Sequence, residues 1–180
     1  AGQDDAFLAK LDGSGNHLFS ARYGAGTTQI GRAAAFDGAG NMFISGAFGG
    51  SVAVGCGSLV TAGGRDACVA KLTPLGLCVW SKCAGDGALQ EAPGVATDPS
   101  GDVLVAGYFE GALDWGCGSH TDPGGVNAFV AKLAAGSGSC LFSKGWGDTG
   151  VQRAWDVACD DAANVIVGGQ PLKRPYSASR

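Results

Sequence analysis

The sequence predicts an all-β chain of three tandem, four-stranded antiparallel repeats, each about 61 residues long. Three observations predict it. Ala6-Phe7-Leu8-Ala9-Lys10-Leu11 returns as Ala67-Cys68-Val69-Ala70-Lys71-Leu72 and again as Ala128-Phe129-Val130-Ala131-Lys132-Leu133, both times at an offset of 61. The 180 residues include 33 Gly and only 16% charged residues, with Glu and Met scarce. So much glycine is costly inside helices and useful in tight turns. Lastly, the apolar segments run about five to eight residues, rich in Val, Ile, Phe and Ala and bounded by Gly, Asp, Asn or Pro. That is strand length, too short for the helix pairs of helical solenoids.

The remaining strands follow in order. The second reads Leu18-Phe19-Ser20, Val79-Trp80-Ser81 and Leu141-Phe142-Ser143, the last slipped by one residue through an insertion in the Gly136-Ser137-Gly138 turn. The third strand ends at Asp37, Asp98 and Asp160. A short turn such as Asp98-Pro99-Ser100-Gly101-Asp102 leads into the fourth: Asn41–Gly46, Asp102–Gly107 and Asn164–Gly169. One small sheet cannot bury both its faces, so neighbouring repeats must stack. Radial stacking gives a β-propeller and linear stacking a β-solenoid, whose rungs are usually shorter, about 20–30 residues. The propeller is therefore expected.

In that frame the innermost strands are the small, apolar segments 33–37, 94–98 and 155–160. The repeat region spans 1–169, followed by a non-repeat tail at 170–180. Residues 31–92 and 93–150 each form a blade, and the third blade is split, with its inner strands in 151–169 and its outer strands in 1–30. Propellers ordinarily have about 4–8 blades. Three blades imply either a homodimer that completes a six-bladed ring or a fragment of a longer chain. The abrupt loss of pattern in the tail favours the fragment.

The pattern D-A-F-x-A-K-L, then D-x-S/A-G-N, a Trp/Phe-Ser pair and A-x-D-x-x-G-N/D before a strand ending in Gly resembles a bacterial β-propeller repeat family. Its members are long secreted and surface proteins of myxobacteria and related bacteria. The resemblance covers residues 3–169 and implies the fold; it brings no functional residues with it.

Seven Cys in 180 residues is a high count. Cys56 and Cys117 are equivalent in the repeat, as are Cys78 and Cys140, which predicts disulfides Cys56–Cys78 and Cys117–Cys140. In the incomplete copy the counterparts are His17 and a position near Ser179, so both partners are missing together. Persistent disulfides predict an oxidising compartment, hence an extracellular or cell-surface location. Cys68, Cys83 and Cys159 have no repeat equivalents, and Cys68 is expected as a buried thiol.

No catalytic constellation emerges. Ser119-His120-Thr121-Asp122 offers nucleophile, base and orienter, but triad partners converge from separate elements, so a turn is expected. His17 reads as a surface residue. Asp37, Asp98 and Asp160 each precede a glycine-rich turn and read as caps of their own backbone. Lys10, Lys71 and Lys132 read as salt-bridging or snorkelling residues within each repeat. No metal site or cofactor is expected, since no Cys-x-x-Cys occurs and the chain has only two His. A weak calcium site at turns such as Asp12-Gly13-Ser14-Gly15-Asn16 is left open.

With net charge −4 and no basic cluster outside Lys173 and Arg174, nucleic-acid binding is not expected. No apolar run reaches the roughly 18–20 residues that span a bilayer, so membrane insertion is not expected either. The opening AGQDDAF has neither the basic start nor the apolar stretch of a signal peptide, so an exported chain would be a mature or excised piece.

The leading functional expectation is a non-enzymatic extracellular scaffold or interaction module with a protein or glycan partner. A second is a carbohydrate-binding, lectin-like propeller that holds sugar rings on Tyr23, Phe48, Tyr108, Phe109, Trp115 and Trp146, all at or near strand ends. The rival role for those rings is to cover seams between blades. A third expectation is an accessory region of a larger secreted hydrolase.

Overall fold

The computed structural model describes residues 4–24 and 26–170, and every regular element among them is a β-strand. The expected tail from 171 onward lies outside the described residues. Strands β1 (Ala6–Leu11) and β2 (His17–Tyr23) form an antiparallel hairpin. Strands β3 (Gln29–Phe36), β4 (Met42–Ala53), β5 (Ser58–Leu72) and β6 (Cys78–Ala84) form a four-stranded sheet in that order.

The second four-stranded sheet runs β7 (Gln90–Thr97), β8 (Val103–Phe109), β11 (Asn127–Leu133), β12 (Cys140–Trp146). A two-residue hairpin, β9 (Ala112–Leu113) and β10 (His120–Thr121), interrupts it. A last hairpin joins β13 (Arg153–Cys159) to β14 (Val165–Gln170).

The layers stack in chain order because the strands alternate their side chains between two covered faces. On β4, Phe43 enters the core shared with the second sheet, whereas Met42 and Ile44 enter the core shared with the first hairpin. The second sheet is likewise covered on both sides: Val103 and Val105 face the first sheet, Leu104 and Ala106 face Ala154 and Val157 of β13. Three apolar seams therefore hold four layers. The strands nearest one edge of each layer, β3, β7 and β13, lie beside one another in succession.

The repeat fixes register as well as pattern. Val103 lies opposite Leu133 in the second sheet, and their equivalents Met42 and Leu72 lie opposite each other in the first. Each of the strands β3, β7 and β13 carries a bulge at the same place, between Gly31 and Ala33, Glu91 and Gly94, and Ala154 and Asp156. The bulge drives a carbonyl onto the next strand. A Cβ on Gly46, Gly107 or Gly169 would sit 1.9, 1.9 or 2.2 Å from the carbonyl oxygen of Ile30, Glu91 or Arg153. Only glycine fits there, which explains the glycine that ends the fourth strand of every repeat.

The inner strands at 151–169 and the outer strands at 1–30, expected to share one blade, lie within this chain in separate two-stranded sheets, β13–β14 and β1–β2. They sit at opposite ends of the stack, β1 against β3 and β13 against β7 and β8.

Candidate functional site

Residues that recur in every repeat turn out to be occupied by the fold. The carboxylate of Asp37 accepts the backbone N–H of Ala39 and Asn41 and the side-chain amide of Asn41, all at 2.8–3.0 Å. Asp12 and Asp160 do the same in their own turns, and Asp12 so engaged has both oxygens taken by Ser14 and Asn16. These bonds, chiefly the Asn16 and Asn164 side chains, hold the Asp12 and Asp160 carboxyls below the usual range.

In the second sheet Asp102 replaces the asparagine, and Asp98 pairs with Lys132 at 2.5 Å. Burial opposes ionisation of Asp98, but Lys132 and the turn amides outweigh it and lower the pKa. Lys71 pairs with Asp37 at 3.1 Å in the equivalent place.

A recurring residue absent from the sequence reading is the glutamine at, or just before, the start of β3, β7 and β13. Gln29, Gln90 and Gln152 are buried, and Gln90 donates to Asp86 Oδ1 at 2.8 Å and to the Glu110 carbonyl at 2.7 Å. Gln152 donates to Asp148 Oδ1 at 2.7 Å and Gln29 to the Gly49 carbonyl at 2.9 Å. Their spacing of 61 and 62 residues was the available signal.

The structure joins Cys56 to Cys78 and Cys117 to Cys140, with Cα atoms 5.4 and 5.6 Å apart. Each bridge clips the tip of a long hairpin to the start of the outermost strand. Cys68 is buried as expected, but it is not a thiol: it is bonded to Cys83, directly opposite on β6, with Cα atoms 4.1 Å apart. Cys159 is free. Three disulfides place the chain in an oxidising environment.

The six aromatic residues lie mostly in the seams between layers. Tyr23, Phe48, Tyr108, Phe109 and Trp115 are buried, and Trp146 is half-buried. Trp115 and Phe109 both pack on Phe129, inside the seam between the two four-stranded sheets, and Tyr23 and Phe48 pack in the seam before it. Strand ends read as exposed in a lone sheet are covered once a second sheet lies across them.

His120 pairs with the Ser143 hydroxyl, while Asp122 turns away to the backbone N–H groups of Gly124 and Gly125 and to Asn127. His17 is exposed and bonds Ser20. Among the described residues no group of three or more His, Cys, Asp or Glu side chains is placed to hold a metal ion.

What remains is a set of charged and aromatic residues at positions where the repeat changes. Glu91 is buried at the bulge of β7. It receives Arg32 Nη2 at 2.9 Å from the bulge of β3 and Arg65 Nη2 at 3.3 Å from β5. Tyr108 lies opposite Glu91 across the strands; burial first, and then that carboxylate, pushes the phenol pKa up to about 12.

Beside them the Arg153 guanidinium lies 5.0 Å from the Tyr108 ring and 6.0 Å from that of Trp155, which is itself partly exposed. The guanidiniums of Arg32 and Arg65 therefore clamp the buried Glu91 carboxylate from neighbouring strands. The half-exposed Arg32 and Arg65 keep further N–H donors facing solvent. Sequence reasoning passed over this group, although Ile30/Glu91/Arg153 and Arg32/Pro93/Trp155 are equivalent positions of unlike chemistry.

No model of a known protein family matches the chain. No curated protein matches it either.

Proposed function

We propose that the chain is a β-propeller-type extracellular scaffold that binds an acidic protein surface through Arg32, Arg65 and Arg153. The carrying observation is a division of labour: the aspartates and lysines that recur close turns and seams, whereas Arg32, Glu91 and Arg153, which do not recur, sit at the bulges of β3, β7 and β13, with Arg65 of β5 reaching the same carboxylate. Bulges re-aim side chains, and three arginines against one buried glutamate leave that patch positive on a chain of net charge −4. The succession of β3, β7 and β13 along one edge of the stack supports a radial arrangement, and the three disulfides support an extracellular one.

Poly-glutamate titrated against the chain tests this reading. Binding is expected to weaken with salt and to fall at least about 10-fold in Arg32→Ala/Arg65→Ala/Arg153→Ala. Salt-independent or unchanged binding overturns it, as does turnover of an ester, peptide or glycoside substrate. The exposed Trp155 ring beside Arg153 supports a second reading, an anionic glycan on the same patch. A glycan array with signal lost in Trp155→Ala would favour it.

A further inference from the structure

The two end hairpins are complementary halves of one sheet, and the complete sheets show how they fit. In the second sheet β8 pairs with β11 from Val103↔Leu133 to Tyr108↔Ala128, and in the first β4 pairs with β5 in the equivalent register. Carried to the hairpins, this register sets β14 against β1 as Val165↔Leu11, Ile166↔Lys10, Val167↔Ala9, Gly168↔Leu8, Gly169↔Phe7 and Gln170↔Ala6. Neither of these edges is hydrogen-bonded to a strand among the described residues.

Several side chains at those edges are apolar and bare. Phe7 is 73% exposed, whereas its equivalents Cys68 and Phe129 are 0% exposed; Leu11 is 56% exposed against 0% for Leu72 and Leu133. Ile166 is 69% exposed against 0% for Phe43 and Leu104. Alongside β1 runs a groove of about 560 Å³ lined by Phe7, Ile30, Ala33 and Ile44. In the other layers the equivalent space is filled, β7 lying against β4 and β13 against β8.

We infer that a second copy of this chain supplies each missing half, so that β13–β14 of one copy completes the sheet begun by β1–β2 of the other and two chains close a six-layered ring. This rests on the radial reading above. Two further seats, independent of the strand edges, await the same partner.

Phe19 lies over Gly76 of the next layer and Trp80 over Gly138, so close that a Cβ would stand 2.1 and 2.8 Å from the rings. The equivalent of these rings in the second sheet is Phe142, and the equivalent glycine is Gly15, where a Cβ would meet nothing within 4 Å. Likewise Lys10 reaches the Pro74 carbonyl at 3.4 Å and Lys71 the Ala135 carbonyl at 3.1 Å, each 64 residues ahead. The next step in that series takes Lys132 to the Gly13 carbonyl of the second copy. Within the composite sheet, Lys10 then meets Asp160 as Lys71 meets Asp37.

The test uses the whole oxidised chain. Its native mass is expected to be that of two chains, and Ile166→Asp is expected to raise the dissociation constant about 100-fold while leaving the far-ultraviolet spectrum unchanged, because Ile166 is exposed within one copy. Ala9→Cys/Val167→Cys is expected to oxidise to a covalent dimer, and Ala9→Cys/Ile166→Cys, with side chains on opposite faces, is not.

A monomeric chain overturns the inference, as does a dimer indifferent to Ile166→Asp or to the Cys register. A ladder of growing masses overturns ring closure. The radial reading is judged separately, by small-angle scattering from the monomeric Ile166→Asp variant: a curved stack keeps it and a straight one removes it.

Discussion

The two four-stranded sheets and the two end hairpins are built from equivalent residues, yet equivalent side chains meet opposite surroundings. Phe129 is sealed between sheets, and Phe7, the same position of the same motif, stands 73% exposed. The difference teaches that burial in this molecule is conferred by the neighbouring layer. A strand that reads as two-sided and apolar becomes core only where a layer lies on each side. The repeat therefore specifies an interface at each layer, and the hairpins β1–β2 and β13–β14 each lie against one layer alone.

The comparison is broken most sharply at the paired phenylalanines. Phe129→Ala is expected to cost about 4 kcal/mol in urea denaturation, from the lost transfer energy and the cavity left behind. Phe7→Ala is expected to cost under about 0.5 kcal/mol in the same measurement on chain dilute enough to be monomeric. Equal losses at the two sites would show that the end hairpin is as well covered as the middle of the stack.

Next in size is the Cys117–Cys140 bridge, which closes a loop with a sequence separation of 23. Cys117→Ser/Cys140→Ser is expected to cost about 3 kcal/mol through the restored freedom of the unfolded chain. Amide exchange should then rise in β11 and β12 and stay unchanged in β1–β2, where His17 stands in place of the cysteine.

The smallest effect sharpens the contrast at the turns. Gly40 and Gly101 have φ of 78° and 82°, and their equivalent in the last hairpin is Ala163 at φ 63°. A left-handed alanine is strained, so Ala163→Gly is expected to raise the thermal midpoint, with a gain of about 1 kcal/mol. No gain would mean that the hairpin relaxes at its exposed end.

Much of this architecture was legible because repetition reveals it. The strands, the aspartate-closed turns and the Cys56–Cys78 and Cys117–Cys140 bridges all follow from equivalent positions. Cys68–Cys83 was missed because it occurs in one repeat alone; only cross-strand register, which puts Cys68 opposite Cys83, brings it out. The aromatic residues stayed open between holding a ligand and covering seams, because strand ends bare in a lone sheet are covered only when a second sheet stacks across them. The Glu91 cluster was invisible for the converse reason. Repetition draws attention to what is shared, and Arg32, Arg65 and Arg153 are the departures.

The link from Lys10 to Pro74 and from Lys71 to Ala135 has an evolutionary reading. Each unit carries both the cation that reaches forward and the carbonyl that receives one from behind. A duplicated unit therefore arrives with its own connection at either end, and a gene can lengthen by whole units without inventing a contact.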